Sequence, residues 1–228
     1  MAFAFKLFTI EQNRCAMKVG TDGVLLGAWA EGGEQILDVG TGTGVIAMMM
    51  AKRYPGSHVD AIDIDQDSAE QARENADGSP FGSRIDIYAS SFQEFESSKT
   101  YDAIVSNPPF FMNSMRSENH KRNIARHADT LEFSDLIERA RHFLKPNGYF
   151  SVILPTETKN AVEQEAILQG FSLSRSLALR SKIGKSPFRY LLEFRLIPTF
   201  IKYESQTLLT DSGERSEWYA NLTADFYL

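Results

Sequence analysis

Short apolar runs alternate along this chain with longer segments in which apolar residues recur every three or four positions, the pattern of strands buried between helices. Gln35–Val39 is the first such run, and a glycine-rich turn leads from it into an apolar helix over Val45–Tyr54, stopped by Pro55 and Gly56. Further strands are predicted at His58–Ile64, Arg84–Tyr88, Tyr101–Val105 and Tyr149–Leu154. Gln66–Ala76 reads as a helix, because Asp65 and Asp67 suit the unpaired N–H groups of a first turn. Phe133, Leu136, Ile137, Ala140 and Leu144 share one face of another, Pro146-Asn147-Gly148 then turns the chain, and Thr156–Gln169 is expected to be a fourth helix. Ser172–Leu179 and Phe188–Ile197 have strand character and flank the basic stretch Arg180–Lys185, which predicts a closing hairpin. The expected architecture is α/β: a mostly parallel, seven-stranded sheet with a C-terminal antiparallel hairpin.

At 228 residues and 43% hydrophobic composition, the chain supports one sizeable core. One domain is expected over 1–228, with an N-terminal segment over 1–34, an α/β core over 35–197 and a tail over 198–228. Cys15 is the only cysteine, which excludes an internal disulfide and fits a reducing compartment. The opening MAFAFKLFTI is broken by Lys6 and has no small-residue cleavage pattern, and no later run has the length to cross a bilayer. A cytoplasmic protein without membrane association or an obligate protein partner is the expectation.

The net charge of −6 argues mildly against polyanion binding, but its distribution is uneven. From Phe171 to Tyr203, Arg175, Arg180, Lys182, Lys185, Arg189, Arg195 and Lys202 face the single acid Glu193, whereas five acids face only Arg215 from Glu204 onward. A second basic group, Arg116, Lys121, Arg122 and Arg126, follows the fourth strand. Such groups hold phosphates without reading base sequence, and solvated surface charge is the other reading of each. His120 and His127 lack ligand spacing with cysteine or acids, so no metal site is expected.

The first strand, turn and helix carry Asp38-Val39-Gly40-Thr41-Gly42-Thr43-Gly44, a D-x-G-x-G-x-G pattern that brings backbone close to a ligand. A dinucleotide fingerprint would place its third glycine at position 45, where Val45 stands, and no Gly-Lys-Ser/Thr follows for a phosphate loop. Asp63, about 20 residues on at the end of the second strand, is placed to accept from both hydroxyls of a ribose.

The fourth strand runs into Asn107-Pro108-Pro109-Phe110, at the strand end where open sheets bind ligands. Two prolines stiffen the backbone, so the Asn107 side-chain oxygen and the Pro108 carbonyl can accept from one amino group. An amine conjugated to a base ring is a poor nucleophile, and fixing its hydrogens on two acceptors turns its lone pair toward an electrophile. Phe110 is suited to stack on the base.

These motifs resemble the class I S-adenosylmethionine-dependent methyltransferases, a Rossmann-like family. That resemblance assigns the methionine end of the cofactor to Asp38, Gly40 and Gly42 within the turn that also holds Thr41 and Gly44. It assigns the ribose to Asp63, and the adenine to Ile64 and the turn Ser90-Ser91-Phe92. Ser91 departs from the aspartate many relatives carry there. Asn107-Pro108-Pro109-Phe110 is similar to the catalytic motif of amino-methyltransferases of adenine N6, guanine N2 and the glutamine amide of release factors. The stretch from Phe8 to Trp29 and the ending from Trp218 to Leu228 resemble the bacterial valine-tRNA adenine-37 N6-methyltransferases. In that family the N-terminal stretch closes over the cofactor, which makes Thr21 and Asp22 candidate contacts for its methionine end. The resemblance implies tRNA as substrate, with Arg180, Lys182, Lys185 and Arg189 as its phosphate contacts. An rRNA guanine-N2 enzyme, a protein glutamine-N5 enzyme and a non-catalytic RNA-binding scaffold remain the alternatives at this stage.

Overall fold

The computed structural model describes residues 2–108 and 133–228. Its main sheet is eight-stranded. In chain order the principal elements are β1 (Phe3–Ala4), β2 (Thr9–Ile10), α1 (Thr21–Trp29), β3 (Gln35–Val39), α2 (Val45–Arg53), β4 (His58–Asp63), α3 (Gln66–Asp77) and β5 (Ile85–Ala89). There follow β6 (Tyr101–Ser106), α4 (Phe133–Phe143), β7 (Leu144–Pro155), α5 (Thr156–Leu168), β8 (Ser172–Arg180), β9 (Arg189–Arg195), β10 (Lys202–Thr207) and α6 (Glu217–Thr223). The strand order is β10-β8-β9-β7-β6-β3-β4-β5. From β7 to β5 all pairs are parallel, and β9 lies antiparallel between β7 and β8, as a closing hairpin requires.

The strand count differs from the expected seven. Lys202–Thr207 sits within the segment read as tail, yet it pairs in parallel with β8, Lys202 opposite Arg175 and Thr207 opposite Arg180. Its sequence, KYESQT, is polar and largely exposed and carries no apolar signal. What it satisfies is the row of unpaired backbone groups along the edge of β8, a demand invisible in β10 itself.

Two apolar layers flank the sheet. On one side α2 is buried along almost its whole length, Met48, Met49 and Met50 being fully enclosed, because α1 covers the face that the sheet does not. Close contact between these helices depends on Gly27: a Cβ there would stand 3.0 Å from the Cβ of Met49. On the other side Leu136, Ile137 and Ala140 of α4 face the sheet, as their spacing predicted, and Phe143 completes the face where Leu144 was expected, since Leu144 already begins β7. The chain ends meet on the α1 side, where the Lys6 N–H donates to the Phe226 carbonyl at 2.9 Å and Phe5 stacks on Tyr227.

A buried ion pair ties the far end of the sheet. The Asp60 carboxylate on β4, almost fully enclosed, accepts from Lys99 Nζ at 2.8 and 2.9 Å and from the Tyr101 hydroxyl at 2.7 Å. His58 and Asp86 stand beside it, joined to each other at 2.8 Å, and the three side chains could jointly face a cation. Lys99 already supplies that charge, and the group lies at the opposite end of the strands from Asn107. No helix among the described residues is long and apolar enough to cross a membrane.

Candidate active site

Strand β3 delivers Asp38 and then breaks into the glycine turn. Gly40, Gly42 and Gly44 all adopt positive φ, at 72°, 55° and 81°, which a Cβ would strain. Above Gly40 and Gly42 the space is open, since a Cβ there would meet nothing within 4 Å. Gly44 has a different reason to be small: its Cβ would press on Ala72 of α3 at 3.3 Å.

The N–H groups of this turn are directed inward. Gly40 and Thr41 both donate to the Ile62 carbonyl at 2.9 Å, Gly42 to Asp63 Oδ2 at 2.7 Å and Gly44 to the Thr41 carbonyl at 2.9 Å. A phosphate cradle needs those donors turned toward the ligand, so the turn is poorly built for an anion. It is ringed by carboxylates instead, which favours a cation.

Asp38 is fully buried. Its Oδ2 accepts from the Thr41 hydroxyl at 2.7 Å and from the Ala47 N–H at 3.2 Å, while Oδ1 has no partner among the described residues. Loss of water pushes this carboxyl up to about 7, against the pull of the two hydrogen bonds. Asp63 is also raised by burial, and its two oxygens each take one backbone N–H, from Asp65 at 2.9 Å and from Gly42. Each oxygen keeps a second acceptor direction. Ile64, next in the chain, is 55% exposed, which for an isoleucine at a strand end offers an apolar face to a flat ring.

In the turn after β5, Phe92 is buried and its ring packs beside Phe143 with centroids 6.0 Å apart, so its side chain lies in the core. The Ser91 hydroxyl donates to the Glu94 carboxylate at 3.1 Å and accepts from the Glu94 N–H at 3.2 Å. Local turn chemistry occupies it, leaving limited capacity toward an adenine.

Asn107 follows β6 directly beside the glycine turn, since Val39 and Ser106 are register partners and the Ser106 hydroxyl donates to the Val39 carbonyl at 2.9 Å. Its Oδ1 is buried without a partner among the described residues, and its Nδ2 lies 3.9 Å from the Met17 sulfur. Adjacent strands thus end in two unpartnered buried acceptors, Asp38 Oδ1 and Asn107 Oδ1. Pro108 is buried. Pro109 and Phe110 fall outside the described residues, as do Arg116, Lys121, Arg122, Arg126 and the two histidines His120 and His127.

The N-terminal stretch crosses these strand ends. Glu11 pairs with Asn75 of α3, Arg14 pairs with Glu70 and Glu74, Met17 reaches Asn107, and Asp22 at the start of α1 meets Arg189 of β9. Given the strand order, the chain passes from β4 over β3 to β6 and on toward β9. Thr21 is exposed and Asp22 half-buried at that helix start. Cys15 is enclosed on the way, and burial raises its thiol.

The basic residues separate by role. Arg189 was expected to face RNA, and its Nε donates to Asp22 Oδ2 at 2.7 Å, which joins it to the start of α1. Arg180 bonds the Ser205 hydroxyl and Lys182 the Asp211 carbonyl, at 3.1 Å for the latter, while Lys185 is exposed. The β8–β9 turn carrying Lys182 and Lys185 stands at the Asn107 end of the sheet, because Arg189 is paired with Pro155, the last residue of β7. Sequence reasoning missed Asn75 and the Arg189–Asp22 pair; neither has a local pattern to mark it.

Comparison with known proteins agrees with this geometry. The methyltransferase small domain family matches residues 19–178. The tRNA1(Val) (adenine(37)-N6)-methyltransferase of Phocaeicola vulgatus is 44% identical over 228 residues, covering 99% of this chain and 97% of its own. Its namesake in Bacteroides fragilis is 43% identical, again covering 99% and 97%. Among solved structures, a predicted O-methyltransferase, protein Atu636 from Agrobacterium tumefaciens, superimposes with a TM-score of 0.72 over 90% of this chain and 96% of its own; at 17% identity it speaks for the fold alone. An open glycine turn poor in free N–H donors, set beside an asparagine with an unpaired oxygen, is thus the site of a chain that belongs to the methyltransferase small domain family and, within it, to the bacterial tRNA1(Val) (adenine(37)-N6)-methyltransferases.

Proposed function

We propose that this protein transfers a methyl group from S-adenosylmethionine to N6 of an adenine in tRNA, adenine 37 of valine tRNA being the target its relatives are named for. The observation that carries this reading is the pair of unpartnered buried acceptors, Asp38 Oδ1 and Asn107 Oδ1, on neighbouring strand ends. A buried oxygen without a donor is costly, and each of these is relieved by one N–H of a bound reactant.

Asp38 and the glycine turn would hold the ammonium of the cofactor's methionine end, an assignment that fits a site whose own N–H groups are already used. Asp63 has acceptor directions left for the ribose hydroxyls, and Ile64 provides the apolar face for the adenine ring. S-adenosylmethionine supplies, when bound, an electrophilic methyl group activated by its sulfonium charge. The chain's part is orientation: Asn107 Oδ1 and the Pro108 carbonyl accept from the target amine, and with its hydrogens so fixed the lone pair points one way. Phe110 would stack on the extruded base, worth roughly 1–3 kcal/mol. Lys182 and Lys185 would take phosphates of the RNA on the same end of the sheet.

Incubation with isotopically labelled S-adenosylmethionine and total tRNA, followed by nucleoside mass analysis, tests the assignment. N6-methyladenosine carrying the label is the expected product. No label in the tRNA, or label confined to a nucleoside other than adenosine, would overturn it.

A further inference from the structure

Asn75 is a buried amide on α3 with every polar atom engaged, and none of its partners belongs to its own helix. Its Oδ1 accepts from the Glu11 N–H at 2.8 Å, and its Nδ2 donates to the Glu11 carbonyl at 2.8 Å and to the Thr43 carbonyl at 2.9 Å. One side chain therefore clasps the backbone of the N-terminal strap (residues 11–20) in both directions and joins it to the far end of the glycine turn. Amide geometry is required for this. Only a planar group with one acceptor and two donors meets a peptide unit's N–H and C=O together and has a donor left.

Other contacts also hold the strap, among them Lys18, whose Nζ donates to the Gln12 and Cys15 carbonyls. Arg14 ties it to Glu70 and Glu74 at the surface, and its own fold is kept by Gln12 Oε1 accepting from the Val19 N–H at 2.8 Å. Beyond Cys15 it spans the ends of β3 and β6 and brings Met17 against Asn107. Asn75 anchors the origin of this span to Thr43, in the same turn as Gly40 and Gly42, where the space is open.

We infer that Asn75 is a positioning residue for the methyl donor: it registers the strap against the glycine turn and so determines how tightly the cofactor is enclosed, without touching it. The inference rests on the reading of the glycine turn as the S-adenosylmethionine site.

The test uses the whole protein and S-adenosylhomocysteine as probe. Asn75→Asp preserves shape and the acceptor for Glu11 but replaces both donors by a second acceptor. It is expected to raise the dissociation constant for S-adenosylhomocysteine, and the KM for S-adenosylmethionine, by tenfold or more, with kcat at saturating donor within about threefold of the parent. Unfolding temperature and circular dichroism identify a variant that has failed to fold. Hydrogen exchange on the unmodified protein does not depend on that variant: saturating S-adenosylhomocysteine is expected to slow exchange in residues 11–19 as well as in 40–44. Protection of 40–44 with no change over 11–19, or an Asn75→Asp protein that folds and binds within twofold of the parent, overturns the inference. Failure of the unmodified protein to bind the probe, with no protection at either segment, instead overturns the assignment of the site on which it rests.

Discussion

The carboxylate of Asp22, one residue into α1, and the guanidinium of Arg189, at the start of β9, meet at 2.7 Å across a sequence separation of 167 residues. Their pairing brings the N-terminal segment onto the closing hairpin of the sheet and makes one continuous rim from the glycine turn to the basic turn after β8. Both side chains are about three-quarters buried, at 27% and 20% exposure, so the pair is screened less than a surface bridge. Arg189→Met is expected to cost about 1–3 kcal/mol, as for loss of a hydrogen bond to a charged group. Urea unfolding of the two single variants and Arg189→Met/Asp22→Asn measures the coupling, and additive losses would show that the rim is not held by this pair.

Asn107→Ala should abolish methyl transfer while leaving S-adenosylhomocysteine affinity within about tenfold, because the side chain's proposed work lies in orienting the target amine. Calorimetry for binding and a single-turnover assay for chemistry separate the two. Unaltered turnover would exclude the acceptor geometry.

Asp38 makes binding depend on pH. Its folded-state carboxyl is lifted from 3.8 to about 7 by burial, so the folded protein holds this proton where the unfolded chain has lost it. Stability contributed by the neutral form is complete below the unfolded value and declines as pH rises toward about 7. An ammonium placed against Asp38 favours the ionised form, so affinity for S-adenosylhomocysteine, through its amino group, should climb between pH 5.5 and 7, by at most about tenfold per pH unit, and then level. Asp38→Asn should flatten that climb; an identical slope in the variant would assign it to another group.

Lys182→Ala with Lys185→Ala should weaken tRNA binding and reduce the slope of log affinity against log salt by roughly 1–2. Nitrocellulose retention at several salt concentrations reads both. An unchanged slope would remove this turn from the RNA surface.

Lys99→Met leaves Asp60 enclosed with the Tyr101 hydroxyl as its remaining hydrogen-bond donor among the described residues, His58 Nε2 standing 3.9 Å away. Breaking a buried pair from one side costs about 3–5 kcal/mol, and the lower end applies because the Lys99 side chain is 39% exposed. Thermal unfolding measures the loss, and Asp60→Asn in the same background should recover part of it.

Much of this molecule was legible in one dimension. Gln35–Val39 is observed as predicted, and β4, α3, β5, β6, α4, α5, β8 and β9 lie within a few residues of their expected bounds, because strand and helix periods act on neighbours a few positions apart. Asp38, the three glycines, Asp63 and Asn107 were legible for a related reason: a turn of positive φ and a proline-stiffened strand end are local constraints, met by particular residue types at particular spacings. What the tertiary structure alone decided are relations between distant backbones. The polar β10 became a strand because β8 had an open edge, Phe92 packs into the core beside Phe143, and Asn75 acquired its partners because Glu11 and Thr43 came within reach together. Arg189 became a partner of Asp22 instead of a free cation through packing of the same kind. Hydrogen bonds and charge pairs depend on separation in space, and a chain's own order does not encode which remote groups will share it.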